Sequence, residues 1–138
     1  MAEKQAVKSK LLLVDDDPLF LRYLATLFPR KEYEVVTASN GQEAVKHARH
    51  LKPDLIVLDL DMPKLDGIET CKILKADEAT KQIPVVVLTA TETLEINQKS
   101  FEAGAQATVL KSVSRERLAN IVDVVLHSKN VGESSAVS

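Results

Sequence analysis

The chain has no tryptophan and one cysteine, and aromatic residues make up 4% of its 138 positions. Three Phe and two Tyr leave little surface on which unpaired bases could stack, which argues against a single-stranded nucleic-acid platform. A lone Cys71 permits neither an internal disulfide nor a cysteine-based zinc centre. No apolar run approaches the roughly 20 residues of a membrane-spanning helix. Met1 to Lys10 is polar and lacks the apolar middle of a signal peptide. An excess of charge of one sign is missing too. Acidic residues number 20 and basic ones 18, a net charge of -2 that gives no long-range pull toward nucleic acid or an anionic membrane. The expectation is a cytoplasmic domain that contacts neither directly.

Hydrophobic residues at 45% and charged residues at 28% are the ordinary mix of a globular protein, and the length suits one domain with one core. Three short runs stand out: Leu11-Leu12-Leu13-Val14, Leu55-Ile56-Val57-Leu58 and Val85-Val86-Val87-Leu88. Runs of four without alternation suit strands buried on both faces, as in a parallel sheet. Weaker strand candidates are Glu34 to Ala38 and Thr108 to Leu110. Helical period fills the gaps. Leu118, Ile121, Val122, Val125 and Leu126 form one amphipathic stripe, and Phe20, Tyr23, Leu24 and Leu27 form another. Asp17-Pro18 opens the first helix with a cap-capable Asp and a Pro at the first helical position. Asn40 and Glu43 have the spacing of a capping box before Ala44, Val45, Ala48 and Leu51.

Five strands near residues 11–14, 34–38, 55–58, 85–88 and 108–110, each followed by a helix, predict an α/β doubly wound five-stranded parallel sheet. The flavodoxin-like (βα)5 order 2-1-3-4-5 is the commonest for that count. Residues 10–128 would form the domain, flanked by flexible tails at 1–9 and 129–138.

Chemistry concentrates where the apolar runs stop. Asp15, Asp16 and Asp17 follow Val14; Asp59, Leu60 and Asp61 follow Leu58; Thr89 follows Leu88; Lys111 follows Leu110. All fall at the carboxyl edge of the sheet, where open α/β sheets place their ligand crevice. Carboxylates gathered there repel one another until a cation intervenes. Oxygen ligands without His or Cys suit a hard ion such as Mg²⁺, which takes one or two carboxylates together with phosphate oxygens. A carboxylate beside that ion can be the nucleophile of phosphoryl transfer, with Lys111 and Thr89 neutralising the transferred oxygens. Asp17 reads separately, as the helix cap.

Leu12-Leu13-Val14-Asp15-Asp16-Asp17-Pro18, Pro53-Asp54-Leu55-Ile56-Val57-Leu58-Asp59-Leu60-Asp61-Met62-Pro63, Asp66-Gly67, Ile83-Pro84-Val85-Val86-Val87-Leu88-Thr89-Ala90, Gly104-Ala105 and Lys111 occur in this order. Over roughly Lys10 to His127 the chain resembles the receiver domain of bacterial response regulators. The resemblance implies that Asp59 is the phosphoacceptor, taking its phosphoryl group from a phosphohistidine on a sensor histidine kinase or histidine phosphotransfer protein. It implies that Asp16 ligates Mg²⁺ directly, that Asp15 acts through water, and that Asp59 and the backbone carbonyl of Asp61 complete the protein ligands. Thr89 would be the switch hydroxyl and Lys111 its ion-pair partner. Phosphorylation would reposition the face made by the fourth helix, fifth strand and fifth helix, to which an unknown downstream protein binds. The domain would be a monomer or a phosphorylation-dependent dimer, either free-standing or the receiver of a longer regulator. It would not be an enzyme beyond its own phosphotransfer and dephosphorylation.

Two positions depart from the family pattern. Ser112 follows Lys111 where the family usually has a cis proline, and a cis bond without proline costs about 2.5–4 kcal/mol. Thr108 stands where the aromatic half of the switch is common. Two rivals share some of the residues. Asp59-Leu60-Asp61 resembles the D-x-D motif of haloacid-dehalogenase-type phosphatases, but after the third strand instead of the first and without room for a cap. A receiver-like interaction module with an idle site is the other. Elsewhere Cys71 reads as a small buried hydrophobe, His47 and His50 as surface residues, and Lys72, Lys75 and Lys81 as a solvated basic face.

Overall fold

The computed structural model describes residues 7–62 and 66–137, with side chains through 128. Strands and helices alternate: β1 Ser9–Val14, α1 Pro18–Thr26, β2 Tyr33–Ala38, α2 Gly41–Leu51, β3 Leu55–Asp59, α3 Gly67–Ala76, β4 Val85–Thr89, α4 Leu94–Ala103, β5 Ala107–Leu110 and α5 Arg115–Val137. All strand pairs are parallel and the order is β2-β1-β3-β4-β5, the expected doubly wound sheet.

The unalternating runs are explained by two cores. Successive strand side chains point to opposite faces. Leu12, Val14, Ile56, Leu58, Val85 and Val87 therefore pack with Ala44, Ala48, Cys71, Leu74 and Ala103 of α2, α3 and α4. Leu11, Leu13, Leu55, Val57, Val86 and Leu88 pack with Leu21 and Leu24 of α1 and Leu118 and Val122 of α5. Each Leu or Val so buried is worth about 1.5–3 kcal/mol before the entropy of ordering it.

Helix starts follow the polar signals. Asp17 Oδ1 accepts from Leu19 N, Asn40 Oδ1 from Glu43 N, Asp66 Oδ1 from Glu69 N and Thr93 Oγ1 from Ile96 N. The reciprocal half of the expected capping box is displaced by one residue: Glu43 accepts from Ser39 N and Oγ, not from Asn40 N. Those bonds, led by the Ser39 backbone, hold the Glu43 carboxyl below its ordinary range. Lys75 does not join a solvated basic face. Its ammonium donates to the carbonyls of Lys81 and Ile83, and its stem packs where a Cβ on Gly104 (φ 100°) would fall.

Two elements reach into the segments expected as tails. Residues 1–6 lie outside the described residues, but Ser9 already belongs to β1, paired with Tyr33. At the other end α5 continues to Val137, through the segment expected to be a flexible tail. Serines and one glycine lower helix propensity by less than about 1 kcal/mol each, and no proline stops a helix already nucleated over Arg115 to His127. No peptide bond among the described residues is cis, so the Lys111–Ser112 bond is trans.

Helix α4 is held differently from the others. Leu94 and Phe101 are 85% and 79% exposed on its outer side. Asn97 Oδ1 and Ser100 Oγ are buried without a hydrogen-bond partner.

Candidate functional site

Strand register aligns the polar residues. Val14 pairs with Leu58, Asp59 with Leu88, and Thr89 with Leu110. Asp15, Asp59, Thr89 and Lys111 thus stand in step at the carboxyl edge, the first three at the ends of the buried strands β1, β3 and β4 and Lys111 after the half-buried edge strand β5.

Asp15 and Asp59 are fully buried. Asp15 Oδ1 accepts from Asp17 N at 2.9 Å, which ties the acid to the start of α1. Asp59 Oδ1 accepts from Asp61 N at 3.1 Å. Lys111 Nζ reaches between them, 3.1 Å from Asp15 Oδ2 and 3.1 Å from Asp59 Oδ1. Asp15 Oδ2 has this charge partner but no aligned hydrogen bond, and Asp59 Oδ2 has no hydrogen bond at all. Carboxylate oxygens of Asp15, Asp16 and Asp59 lie within 4.8 Å of one another, with Asp16 exposed. Orphaned buried oxygens beside an exposed carboxylate are the donor set that a hard, partly hydrated cation such as Mg²⁺ takes.

The electrostatics follow from burial. Desolvation pushes the Asp59 carboxyl up to about 6; the Asp61 N–H opposes this, Asp15 adds to it, and Lys111 opposes it. Burial works against the Lys111 ammonium, but its bonds and charge contacts with Asp59 and Asp15 outweigh that and raise its pKa.

The remaining expected site residues are placed less directly. Thr89 is buried, and its hydroxyl donates to Thr91 O at 2.8 Å and accepts from Thr91 N at 3.2 Å. It makes no hydrogen bond to the acids among the described residues. The Asp61 carboxylate accepts from Ala90 N at 3.4 Å, linking the loops after β3 and β4.

Two further residues shape the site. The Phe20 ring lies under the Lys111 ammonium, 4.9 Å from Nζ to the ring centroid. In the sequence Phe20 was only one apolar position of a helical stripe. Gly67 is the other: a Cβ there would fall 2.4 Å from Asp59 O and 2.5 Å from Leu60 Cα. Its signal was the Asp66-Gly67 pair opening a helix just after the third strand. The Cys71 thiol is buried, which pushes its pKa up to about 11. Surface hollows lie elsewhere. One of about 370 Å³, lined by Ser9, Glu32, Tyr33 and Asp54, is at the amino ends of the strands, away from the acids.

The family model for the response regulator receiver domain matches residues 11–123. The chain is 36% identical over 130 residues to the alkaline phosphatase synthesis transcriptional regulatory protein PhoP of Bacillus subtilis, covering 94% of this chain and 53% of that one. It is 33% identical over 113 residues to the DNA-binding response regulator MtrA of Mycolicibacterium smegmatis, covering 81% and 48%. It therefore spans about half the length of the curated relatives it matches. Among solved structures, the chemotaxis protein CheY4 of Vibrio cholerae superposes with a TM-score of 0.81 at 28% identity, covering 86% of this chain and 99% of that one.

Proposed function

Because the chain belongs to the response regulator receiver domain family of two-component signalling, we propose that it accepts a phosphoryl group on Asp59. The observation that carries this reading is Asp59 Oδ2: a buried carboxylate oxygen with no hydrogen bond, beside Lys111 and within the Asp15–Asp16 cluster. That lone pair is free to attack phosphorus. The donor is a phosphohistidine of a sensor kinase or phosphotransfer protein. Its phosphorus–nitrogen bond breaks as the Asp59 oxygen–phosphorus bond forms, and the electron pair leaves with the imidazole.

Asp15, Asp16, Asp59 and the Asp61 carbonyl would hold Mg²⁺, which when bound neutralises charge on the transferring oxygens. Lys111, already between Asp15 and Asp59, exchanges a carboxylate contact for a phosphoryl oxygen. Thr89 must break its bond to Thr91 O to donate to the phosphoryl group, which links its rotation to the loop after β4. New contacts to phosphate then shift the population of the face formed by α4, β5 and α5, where a downstream protein binds. The domain itself takes no part in nucleic-acid contact, acts in the cytoplasm, and turns over no small molecule beyond its own phosphotransfer.

The test is intact mass after incubation with Mg²⁺ and acetyl phosphate, with Asp59→Asn in parallel. One added phosphoryl group, labile to mild base and absent from the variant, is expected. No adduct together with no beryllofluoride binding would leave the idle interaction module as the better reading.

A further inference from the structure

Lys111 carries the cation of the site on four rotatable bonds and is a quarter exposed, so its two carboxylate contacts alone leave a long stem to be ordered. A third contact comes from α1, in the Phe20 ring whose centroid lies 4.9 Å from the ammonium. Phe20 is itself braced. Tyr23, one turn on, lies 5.7 Å away between centroids with the planes tilted by 36°, and the Arg115 guanidinium stands 6.0 Å over the Tyr23 ring. Two cations from β5–α5 thus clasp two aromatic rings of α1. The chain has five such rings in all, so this pairing uses two of its five.

The start of α1 is fixed by the same acid that Lys111 contacts. Asp15 Oδ1 accepts from Asp17 N, Asp17 Oδ1 caps Leu19 N, and Pro18 opens the helix. Phe20 follows immediately, so ring and ammonium are both referenced to one carboxylate. The negative face of an aromatic ring attracts an ammonium most where water is partly excluded, as it is here.

We propose that Phe20 is a positioning residue for phosphoryl transfer, holding the Lys111 ammonium over Asp59 by a cation–π contact braced by Tyr23 and Arg115. This rests on the reading of Asp59 as phosphoacceptor and goes beyond it, assigning a role to a side chain on a different helix. The contact is electrostatic, not merely steric. A leucine of similar bulk covers Lys111 without attracting it, whereas a tyrosine keeps both functions.

The experiment compares wild type, Phe20→Leu and Phe20→Tyr by two readouts. The first is the ε-methylene resonance of Lys111 in lysine-labelled protein, which a ring face shifts upfield. The second is the initial rate of Asp59 modification by acetyl phosphate with Mg²⁺, followed by intact mass. Phe20→Leu is expected to lose the upfield shift and to slow modification about two- to fivefold, the range a cation–π contact of ordinary strength supplies. Phe20→Tyr is expected to restore both. A leucine variant that reacts at the wild-type rate, or one that slows while its Lys111 resonance stays put, would overturn the assignment. Wild-type protein that takes neither phosphoryl group nor beryllofluoride would instead sink the phosphoacceptor reading. The resonance would still decide whether ring and ammonium touch.

Discussion

Lys111 Nζ lies 3.1 Å from Asp59 Oδ1, and the same ammonium lies 3.1 Å from Asp15 Oδ2. One cation serves two buried carboxylates, so every change to one of the three alters the other two.

Asp59→Asn should stabilise the metal-free protein at neutral pH. An acid whose pKa is about 6 when folded, against an ordinary 3.8, supports folding while it is protonated. That contribution is full below 3.8, falls as pH rises through 6, and is gone above it. The variant's advantage should therefore be absent near pH 3.5, grow through that window and then level off. Allowing for Lys111 and partial hydration, it should reach about 1–2 kcal/mol in urea unfolding with chelator present. A constant difference at all pH values would contradict the assignment of the shift to Asp59.

Lys111→Met should have the opposite effect, because it strands two buried charges. Loss of about 1–3 kcal/mol at pH 7 is expected, less than for a fully enclosed pair since Lys111 is a quarter exposed. Protonating Asp59 relieves the conflict, so the loss should shrink at pH 5. Equal losses at both values would count against it.

Mg²⁺ should raise the melting temperature of wild type. A ligand at a hundred times its Kd adds about 2.7 kcal/mol if it binds only the folded state. Asp16→Ala removes an exposed side chain, so it should keep the metal-free stability within about 0.5 kcal/mol while weakening the Mg²⁺ response. Calorimetric titration would check both halves.

Gly67→Ala should disturb the site from behind. The added methyl meets backbone atoms of Asp59 and Leu60, not a flexible side-chain tip. A loss of about 1–3 kcal/mol is expected, as in other overpacked positions. A slower Asp59 modification should accompany it, measured against Gly104→Ala, which strains a left-handed residue remote from the acids.

Cys71 should be inert in the native protein. Its buried thiol, with a pKa near 11, offers almost no thiolate at pH 8. Iodoacetamide should label it only after unfolding; prompt labelling of native protein would show that α3 opens.

The sheet could be read from its apolar runs because a strand buried on both faces must be apolar at every position. Val14, Leu58, Leu88 and Leu110 announced where those runs stop, and the residues after them met at one edge because parallel pairing keeps neighbouring strands in step. What lay beyond the strand ends was harder to see. The place of Phe20 depends on how α1 crosses the sheet, and no local pattern encodes which ring passes under which ammonium. The hydrogen bond of Thr89 to Thr91 is a choice of rotamer, also invisible in sequence. The extent of α5 was not legible either, because serine-rich composition resembles a tail even when nothing interrupts the helix. Lys75 was misjudged for a related reason: a lysine's charge suggests solvent, while its reach lets it satisfy carbonyls of the loop that follows its own helix.

Helix α4 presents leucine and phenylalanine to water while two polar atoms beneath it go unbonded. Burial that leaves polar groups without partners forfeits about 1–3 kcal/mol for each, so this helix gains less from its seat than α2 or α3 does. In amide hydrogen exchange its protection should be lost by a local opening, at a free energy below that of global unfolding. A segment lifted so cheaply needs only a small bias from the neighbouring Thr89–Thr91 loop to change its residence time, and its exchange rate becomes a gauge of what happens at Asp59.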